Sequence, residues 1–283
     1  MKRVGLIGQG LKHSLSAVMQ QAALDHCALA ARYELWDTQP EEIEQRVTSL
    51  RDEGYLGANV TVPHKQAVMP FLDELDPVAT GAGAVNTIVR RERRLTGHNT
   101  DVAGFARALS EAGLDVRGIR AAVLGAGGAA RAVTLALIEG RASVISLSDA
   151  ITERAEALRR DLRGLTSPGT TVVWTYWGDG VFERSLRKCA LLVNCTPVGM
   201  RFGPAEGQSP VAAELIPPGC LAFDLVYNPE ETPFLQAAWS RGARTAGGLA
   251  MLVYQGAASF CLWTGREAPV EVMFQAARKA LAG

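Results

Sequence analysis

The chain has 283 residues, 48% of them hydrophobic and 20% charged, with 29 basic and 29 acidic side chains. That length suits two modest domains with separate cores, and the charge balance lacks the basic excess that nucleic-acid and membrane surfaces require. No apolar run reaches the roughly 20 residues of a membrane span, and MKRVGLIGQG breaks at glycines too early for a signal peptide, so a cytoplasmic protein is expected.

The elements follow one another in a regular alternation. RVGLIG reads as a strand, and the stretch from Ser14 to about Ala30 as a helix. RYELWD is a second strand, PEEIEQRVTSLRDEG a helix and LGANVTV a third strand. This β-α-β-α-β order is the signature of a mostly parallel sheet covered by helices, hence an α/β fold. AVNTIVRR and RRLTGHN flank a charged turn and predict a hairpin, and DVAGFARALSEAG predicts a helix.

A second alternating set begins at RAAVLG. ASVISLSD, TTVVWT, ALLVNCT, CLAFDLV and GARTAGG read as its further strands, with ITERAEALRRDLRG helical between the first two. Two helices, Leu249 to Thr264 and VEVMFQAARKALA, close the chain. Arg201 to Leu215, rich in Gly and Pro, reads as a mobile loop. The five cysteines are scattered without a CxxC pair and read as reduced, mostly buried thiols. The four histidines show no metal-ligand spacing, so no metal is expected.

Within the second set, VLGAGGAARA places Gly125, Gly127 and Gly128 between a strand and a helix. Glycines there allow a tight turn and close approach of a pyrophosphate, and the helix N-terminus offers free N–H groups at a positive dipole end. The next strand ends at Asp149, 24 residues after Gly125, where a dinucleotide fold presents the residue facing the adenosine ribose. A carboxylate there accepts from ribose hydroxyls and repels a 2′-phosphate, which favours NAD over NADP. SDAITE also reads as a capping box around Asp149 or Thr152, and the two roles are compatible.

Only five of the 29 basic residues are lysines: Lys2, Lys12, Lys65, Lys188 and Lys279. Lys65 ends GANVTVPHK, and a lysine can release a proton where an arginine cannot. Pro63 reads as the first turn of a helix whose positive end would disfavour charge on Lys65. Asn86 stands in an apolar strand, where an unpaired amide costs about 1–3 kcal/mol, so a ligand or a backbone group is expected to satisfy it. Gln255, on an apolar helix, poses the same problem. Ser14 and Ser16 suit a helix start and also an anion, whereas His13 and His64 read as structural hydrogen-bonders.

Eight ordered motifs, HSLS, GANVTVPHK, GAVNT, GHNTDVAGF, GAGGAARA, NCTPVGM, FDLVYNP and GGLAMLVYQGA, span nearly the whole chain. Together they resemble the shikimate/quinate dehydrogenase family. The resemblance implies a substrate domain over residues 1–103, completed by 249–283, and a Rossmann-like dinucleotide domain over 104–248. It implies reversible hydride transfer between a nicotinamide dinucleotide and the ring alcohol of shikimate or quinate, with Lys65 and Asp101 as the catalytic pair. Asn86 and Asp101 match residues holding ring hydroxyls, Ser14 and Ser16 the carboxylate binders, and Thr61, Tyr227 and Gln255 the rest of that pocket. Gly125, Gly127, Gly128 and Ala129 match the phosphate loop, and Thr196, Val198, Met200, Leu225 and Gly248 the nucleotide lining. The partners implied are small molecules, without nucleic acid or membrane, and the assembly a monomer or homodimer. Within the same resemblance, a dehydrogenase for a related ring acid such as an aminoshikimate, and a non-catalytic NAD and ring-acid sensor, stay open.

The chain departs from the family at defined places. Where the family usually reads Asn-Arg-Thr, this chain has Asp149-Ala150-Ile151, so the arginine that stacks on adenine and grips a 2′-phosphate is absent. Arg154 remains as a partial phosphate contact. Gly10 and Ala17 stand for common prolines, and Gln20-Gln21 for His-Asn. NAD as preferred cofactor, with NADP as the alternative, is the expectation.

Overall fold

The computed structural model describes residues 1–166 and 168–282. The chain divides into two compact units, Met1–Gly104 with Leu252–Gly283, and Phe105–Met251. The first unit holds β1 (Lys2–Gly8), α1 (Ser16–His26), β2 (Ala31–Asp37), α2 (Ile43–Ser49), β3 (Tyr55–Val60), β4 (Glu74–Leu75), α3 (Pro77–Ala82), β5 (Thr87–Arg91) and β6 (Arg94–His98). Its sheet runs β2-β1-β3-β5-β6-β4. β1, β2 and β3 pair parallel, as the βαβ alternation requires, and β5 pairs antiparallel with both β3 and β6 through the expected hairpin. Ile7, Trp36, Val47, Val60, Ile88 and Leu95 form a buried core on this sheet.

Several expected elements are shorter. α1 begins only at Ser16, because Leu11–His13 forms a separate 3-10 turn ending at Ser14, and it stops at His26, before Ala28 turns left-handed at φ 51°. The helix expected from Pro40 starts as a 3-10 turn, closed by a capping box between Gln39 and Glu42, and is α-helical only over α2.

No helix follows Pro63. Residues 62–68 run as turns into a short 3-10 segment, Met69–Phe71. The carbonyl of Lys65, which a helix would offer to residue 69, instead accepts the N–H of Val85 at 2.7 Å. The helix-dipole influence expected on Lys65 therefore has no source.

Gly57 in β3 has φ 151°, and a Cβ there would collide with the carbonyl oxygen of Ile88 and lie 2.8 Å from Trp263 Nε1. That close approach lets Trp263 donate to Ile88 O at 2.9 Å. Gly57→Ala is expected to destabilise the fold by about 2–4 kcal/mol, since neither backbone nor ring can retreat. A urea midpoint unchanged from the parent refutes this.

The second unit holds β7 (Arg120–Leu124), α5 (Gly128–Glu139), β8 (Val144–Ser148), α6 (Thr152–Asp161), β9 (Thr171–Trp174), α7 (Gly180–Arg187), β10 (Leu191–Asn194), β11 (Leu221–Asp224), α8 (Pro233–Ser240) and β12 (Arg244–Ala246). Two further helices cross the division along the chain. α4 (Thr100–Glu111) begins in the first unit and α9 (Leu249–Thr264) ends there, followed by α10 (Val270–Ala282), which packs on α1. The second sheet is wholly parallel in the order β12-β11-β10-β7-β8-β9. The order reverses between β7 and β10, and such a switch point opens a ligand crevice at the carboxyl ends of the strands.

α3, α7 and α8 were not expected from hydrophobic periodicity. Each follows a capping residue: Asp76 accepts from Ala79 N–H, Asp179 from Phe182 N–H and Thr232 from Leu235 N–H. Residues 201–212, the body of the expected mobile loop, form successive turns with Gly199 N–H bonded to Ala205 O and Gln208 N–H to the same oxygen. Of the cysteines, Cys189 and Cys220 are buried, Cys195 is half-buried with its thiol turned inward, Cys27 is half-buried and Cys261 exposed.

Candidate active site

In the first unit, β3 leads into the turns that carry Thr61, His64 and Lys65, while β5 and β6 present Asn86 and the start of α4. Lys65 Nζ donates to Asp101 Oδ2 at 2.5 Å, with side chains only 12% and 7% exposed. Asp101 sits in the first turn of α4, where a carboxylate is favoured by the helix dipole. Its backbone is tied by Asn99 Oδ1, which accepts the Asp101 N–H, while Asn99 Nδ2 donates to Ala84 O. His64 bonds Thr38 O through Nε2 and is buried, which fits its structural reading.

Asn86 is satisfied within the protein, by one backbone group and by side chains. Its Nδ2 donates to Asp101 Oδ1 at 2.8 Å, with Thr100 Oγ1 at 2.9 Å and Gln255 Oε1 at 3.2 Å also in range. Its Oδ1 accepts from Thr100 N–H at 2.7 Å and from Thr87 Oγ1 at 3.0 Å. The expected backbone partner is the Thr100 N–H; side chains supply the rest, and Asn86 orients the second carboxylate oxygen of Asp101. Gln255 is likewise engaged internally, donating to Leu252 O at 2.7 Å. Gly104, one turn after Asp101, permits this: a Cβ would lie 2.8 Å from Gln255 N.

Behind Asn86 lies a cluster that sequence reasoning missed. The hydroxyls of Thr87, Thr100 and Ser259 lie within 2.8–3.3 Å of one another. Asn59 Nδ2 donates to Ser259 Oγ at 3.0 Å, and Asn59 Oδ1 accepts from Tyr33 OH at 2.9 Å. Tyr33 in turn hydrogen-bonds the side chain of Ser16. A buried polar chain thus links Ser16 to Asp101, and a fully satisfied network of this kind holds its members in one geometry. The run of polar residues within buried strands (Asn59, Asn86, Thr87) was its only sequence signal.

Ser14 and Ser16 do not cap α1 with their side chains; Ser14 Oγ accepts the Ser16 N–H at 3.3 Å and keeps its own proton. Thr61 is half-buried at the end of β3. These residues and Lys65, Asn86, Asp101 and Gln255 all belong to the first unit. Tyr227 belongs to the second, half-buried beyond β11.

In the second unit, Gly125 turns the chain after β7 at φ 99°, and a Cβ there would press on Cys195 and Thr196 at 3.2 Å. Gly127 is exposed with open space around its Cα, and α5 starts with no side-chain cap. First-turn N–H groups left this way fit a pyrophosphate. Gly128 and Ala129 open that helix half-buried.

Asp149 follows β8 and uses both carboxylate oxygens. Oδ2 accepts the Ala126 N–H and Oδ1 the Ile151 N–H, each at 2.8 Å. The residue preceding α6 is Ile151, without a side-chain cap bond, so the capping-box expectation at Asp149 or Thr152 fails. The carboxylate clamps the glycine turn instead. Arg154 is exposed on the first turn of α6.

Thr196, Val198 and Leu225 hang from a buried clip. Asn194 Oδ1 accepts from the Thr196 N–H and hydroxyl, and Asn194 Nδ2 donates to Asp224 Oδ1 at 2.9 Å. Asp224 also accepts from Val226 N–H and from Thr232 Oγ1 at 2.6 Å. Gly248 approaches Leu225 so closely that a Cβ would overlap its carbonyl oxygen, while Met200 is exposed. Cys195 has its thiol pushed up by burial and by the neighbouring Asp224.

Burial pushes the Asp224 carboxyl up to about 6, against hydrogen bonds from Thr232, Val226 and Asn194 that favour the anion. With an unfolded value of about 3.9, this group's contribution is fully present below about pH 4 and lost as pH rises through about 6. The stability difference between the parent and Asp224→Asn should therefore move by on the order of 2 kcal/mol against the parent between about pH 4 and 7.5. A difference that stays constant in urea titrations at both pH values refutes the shift.

Among the described residues, no helix is long and apolar enough to cross a membrane, and no group of three His, Cys, Asp or Glu could hold a metal ion. A parallel sheet with a glycine turn at its switch point, in one chain with a unit carrying a buried lysine–carboxylate pair, defines a nicotinamide-dinucleotide oxidoreductase.

Comparison with known proteins narrows this. Residues 6–88 match the shikimate dehydrogenase substrate binding domain and residues 248–278 the shikimate 5′-dehydrogenase C-terminal domain. The chain is 45% identical over 278 residues to shikimate dehydrogenase (NADP(+)) of Moorella thermoacetica, covering 98% of this chain and 93% of that protein. It superposes on shikimate 5-dehydrogenase of Thermus thermophilus, in complex with NADP(H) and shikimate, with TM-score 0.87 and 38% identity over 99% and 100% of the two chains. Quinate dehydrogenase of Corynebacterium glutamicum, in complex with NAD, gives TM-score 0.86 and 33% identity over 97% and 98%. The chain belongs to the shikimate dehydrogenase family.

Proposed function

We propose that the chain interconverts shikimate and 3-dehydroshikimate, accepts quinate as a second substrate, and uses Lys65 and Asp101 as its acid/base pair. The observation that carries this is the buried 2.5 Å Lys65–Asp101 pair, held from behind by Asn86. In oxidation the ring C–H leaves as hydride and the hydroxyl proton passes to the Lys65–Asp101 pair; in reduction both return. When bound, the nicotinamide supplies the hydride acceptor or donor. The Ser14 hydroxyl keeps a proton to donate to the substrate carboxylate, alongside Ser16 and Thr61. Asn86 and Gln255, with their amides oriented by the network, face the ring hydroxyls. A sensor has no need of such a proton-shuttling pair.

The dinucleotide is held at the Gly125 turn, whose own N–H goes to Ser148 O, through the backbone N–H groups of Gly127, Gly128 and Ala129, and along Thr196, Val198, Met200, Leu225 and Gly248. NAD is the preferred form, because Asp149 keeps a carboxylate beside the ribose position and Ala150 offers no cation. Quinate as a second substrate is supported by the likeness of the whole chain to the Corynebacterium quinate dehydrogenase. The test is a grid of shikimate and quinate against NAD and NADP, reading kcat/KM in each cell. Turnover of shikimate with NAD is the expected maximum. Dinucleotide binding without turnover in any cell overturns the enzymatic reading.

A further inference from the structure

We propose that Tyr176 is the aromatic platform for the adenine ring of the bound dinucleotide. The inference rests on the dinucleotide reading above and assigns a residue that no motif singles out. Tyr176 follows β9, the strand beside β8. The two strands pair in parallel with Leu147 opposite Trp174. Beyond that pair the alignment continues: Thr175 N–H donates to Leu147 O at 2.9 Å, and the Ser148 and Thr175 hydroxyls meet at 2.6 Å. Two residues on, this register sets Tyr176 level with Asp149, on strands spaced about 4.8 Å apart. Both therefore lie at the carboxyl edge of the sheet, where a dinucleotide binds.

The side chain is prepared for a partner. Tyr176 is 55% exposed, although its neighbours are fixed. Trp174 stands edge-on to its ring, with centroids 4.7 Å apart and planes at 80°. On the other side the Tyr176 carbonyl accepts the Asp179 N–H, and Trp177 stacks on the buried Phe182 at 5.2 Å. An exposed ring held in this way loses little freedom when a second ring lies on it. The adenine is bonded to the same ribose whose hydroxyls Asp149 faces, and Ala150, exposed next to Asp149, has no plane to stack. A purine on an aromatic face is the stacking contact that fits a flat, apolar, solvent-facing ring.

The experiment measures calorimetric affinities of AMP, NAD and nicotinamide mononucleotide for the full chain and for Tyr176→Ala and Tyr176→Phe. Tyr176→Ala is expected to weaken AMP and NAD by about 5- to 100-fold, the usual worth of one stacked base. Nicotinamide mononucleotide should bind the parent and the variant equally, and Tyr176→Phe should keep the parental affinities. Equal AMP affinity in parent and Tyr176→Ala overturns the role of Tyr176 alone. Loss of nicotinamide mononucleotide along with AMP overturns it as well, because the substitution would then act on the whole unit. Failure of the unmodified chain to bind AMP or either dinucleotide overturns both this assignment and the dehydrogenase reading.

Discussion

Replacing Lys65 with alanine should lower kcat by about 10²–10⁴-fold, the range for removal of a positioned acid/base, with a smaller change in KM. The structure adds a reason for the KM to move little: the Ser16–Tyr33–Asn59 side of the pocket is held by bonds that do not pass through Lys65. It also predicts a side effect. Asp101 would lose its ammonium partner and keep the Asn86 amide and the helix dipole, so the variant should melt several degrees lower. Lys65→Arg restores a cation to Asp101 but cannot release a proton at working pH. It should recover thermal stability better than turnover. Near-parental kcat in Lys65→Arg eliminates the proton-shuttle role, whereas a stable, silent Lys65→Arg separates chemistry from the ion pair.

The second large effect concerns the cofactor. A 2′-phosphate next to Asp149 places negative charges a few ångströms apart, and each unit pair at about 4 Å costs roughly 1 kcal/mol in water and 4 kcal/mol at a surface-like dielectric. NADP should be disfavoured by about 10- to 1,000-fold in kcat/KM, at about 1.4 kcal/mol for each factor of ten. The obvious reversal, Asp149→Asn, is not clean. Asp149 accepts two backbone N–H groups, one from the glycine turn at Ala126, and an asparagine can accept only one of them with its single oxygen. That substitution should relieve the repulsion and also loosen the phosphate turn, raising KM for both dinucleotides. Ala150→Arg leaves the clamp intact and adds a bidentate phosphate partner. It should improve NADP turnover with NAD little changed. Relatives such as the Moorella protein carry NADP in their names, so an unmodified enzyme that prefers NADP is the outcome that defeats the charge argument. Asp149 would then serve only to brace the turn.

Much of the architecture is local and therefore written in the chain. Alternation of apolar runs and amphipathic stretches specifies the parallel strands, and Gly125, at φ 99°, is required where β7 must turn at once toward α5. The short helices α3, α7 and α8 were legible too, but in the pairs Asp76-Pro77 and Thr232-Pro233 and in Asp179 rather than in periodicity. A helix of six to eight residues shows too few turns for a hydrophobic stripe, while its cap is a single-residue signal.

The site divides along a similar line. Which residue types meet (a lysine, a carboxylate, two serines, an amide) follows from sequence, because each motif carries its chemistry within a few positions. What each polar atom does was decided by tertiary structure. The Lys65 carbonyl goes to Val85, so no helix forms after Pro63, and the lysine side chain pairs with Asp101. Asn86 is saturated by Thr87, Thr100, Asp101 and Gln255, residues up to 169 positions away. Asp149 spends both oxygens on backbone, and Tyr176 comes level with it only through the pairing of β8 with β9. A hydrogen bond is directional and closes over a few ångströms, so its partner is fixed only when distant strands and helices have packed; hydrophobic period and turn chemistry need no such partner, and the chain determines them alone.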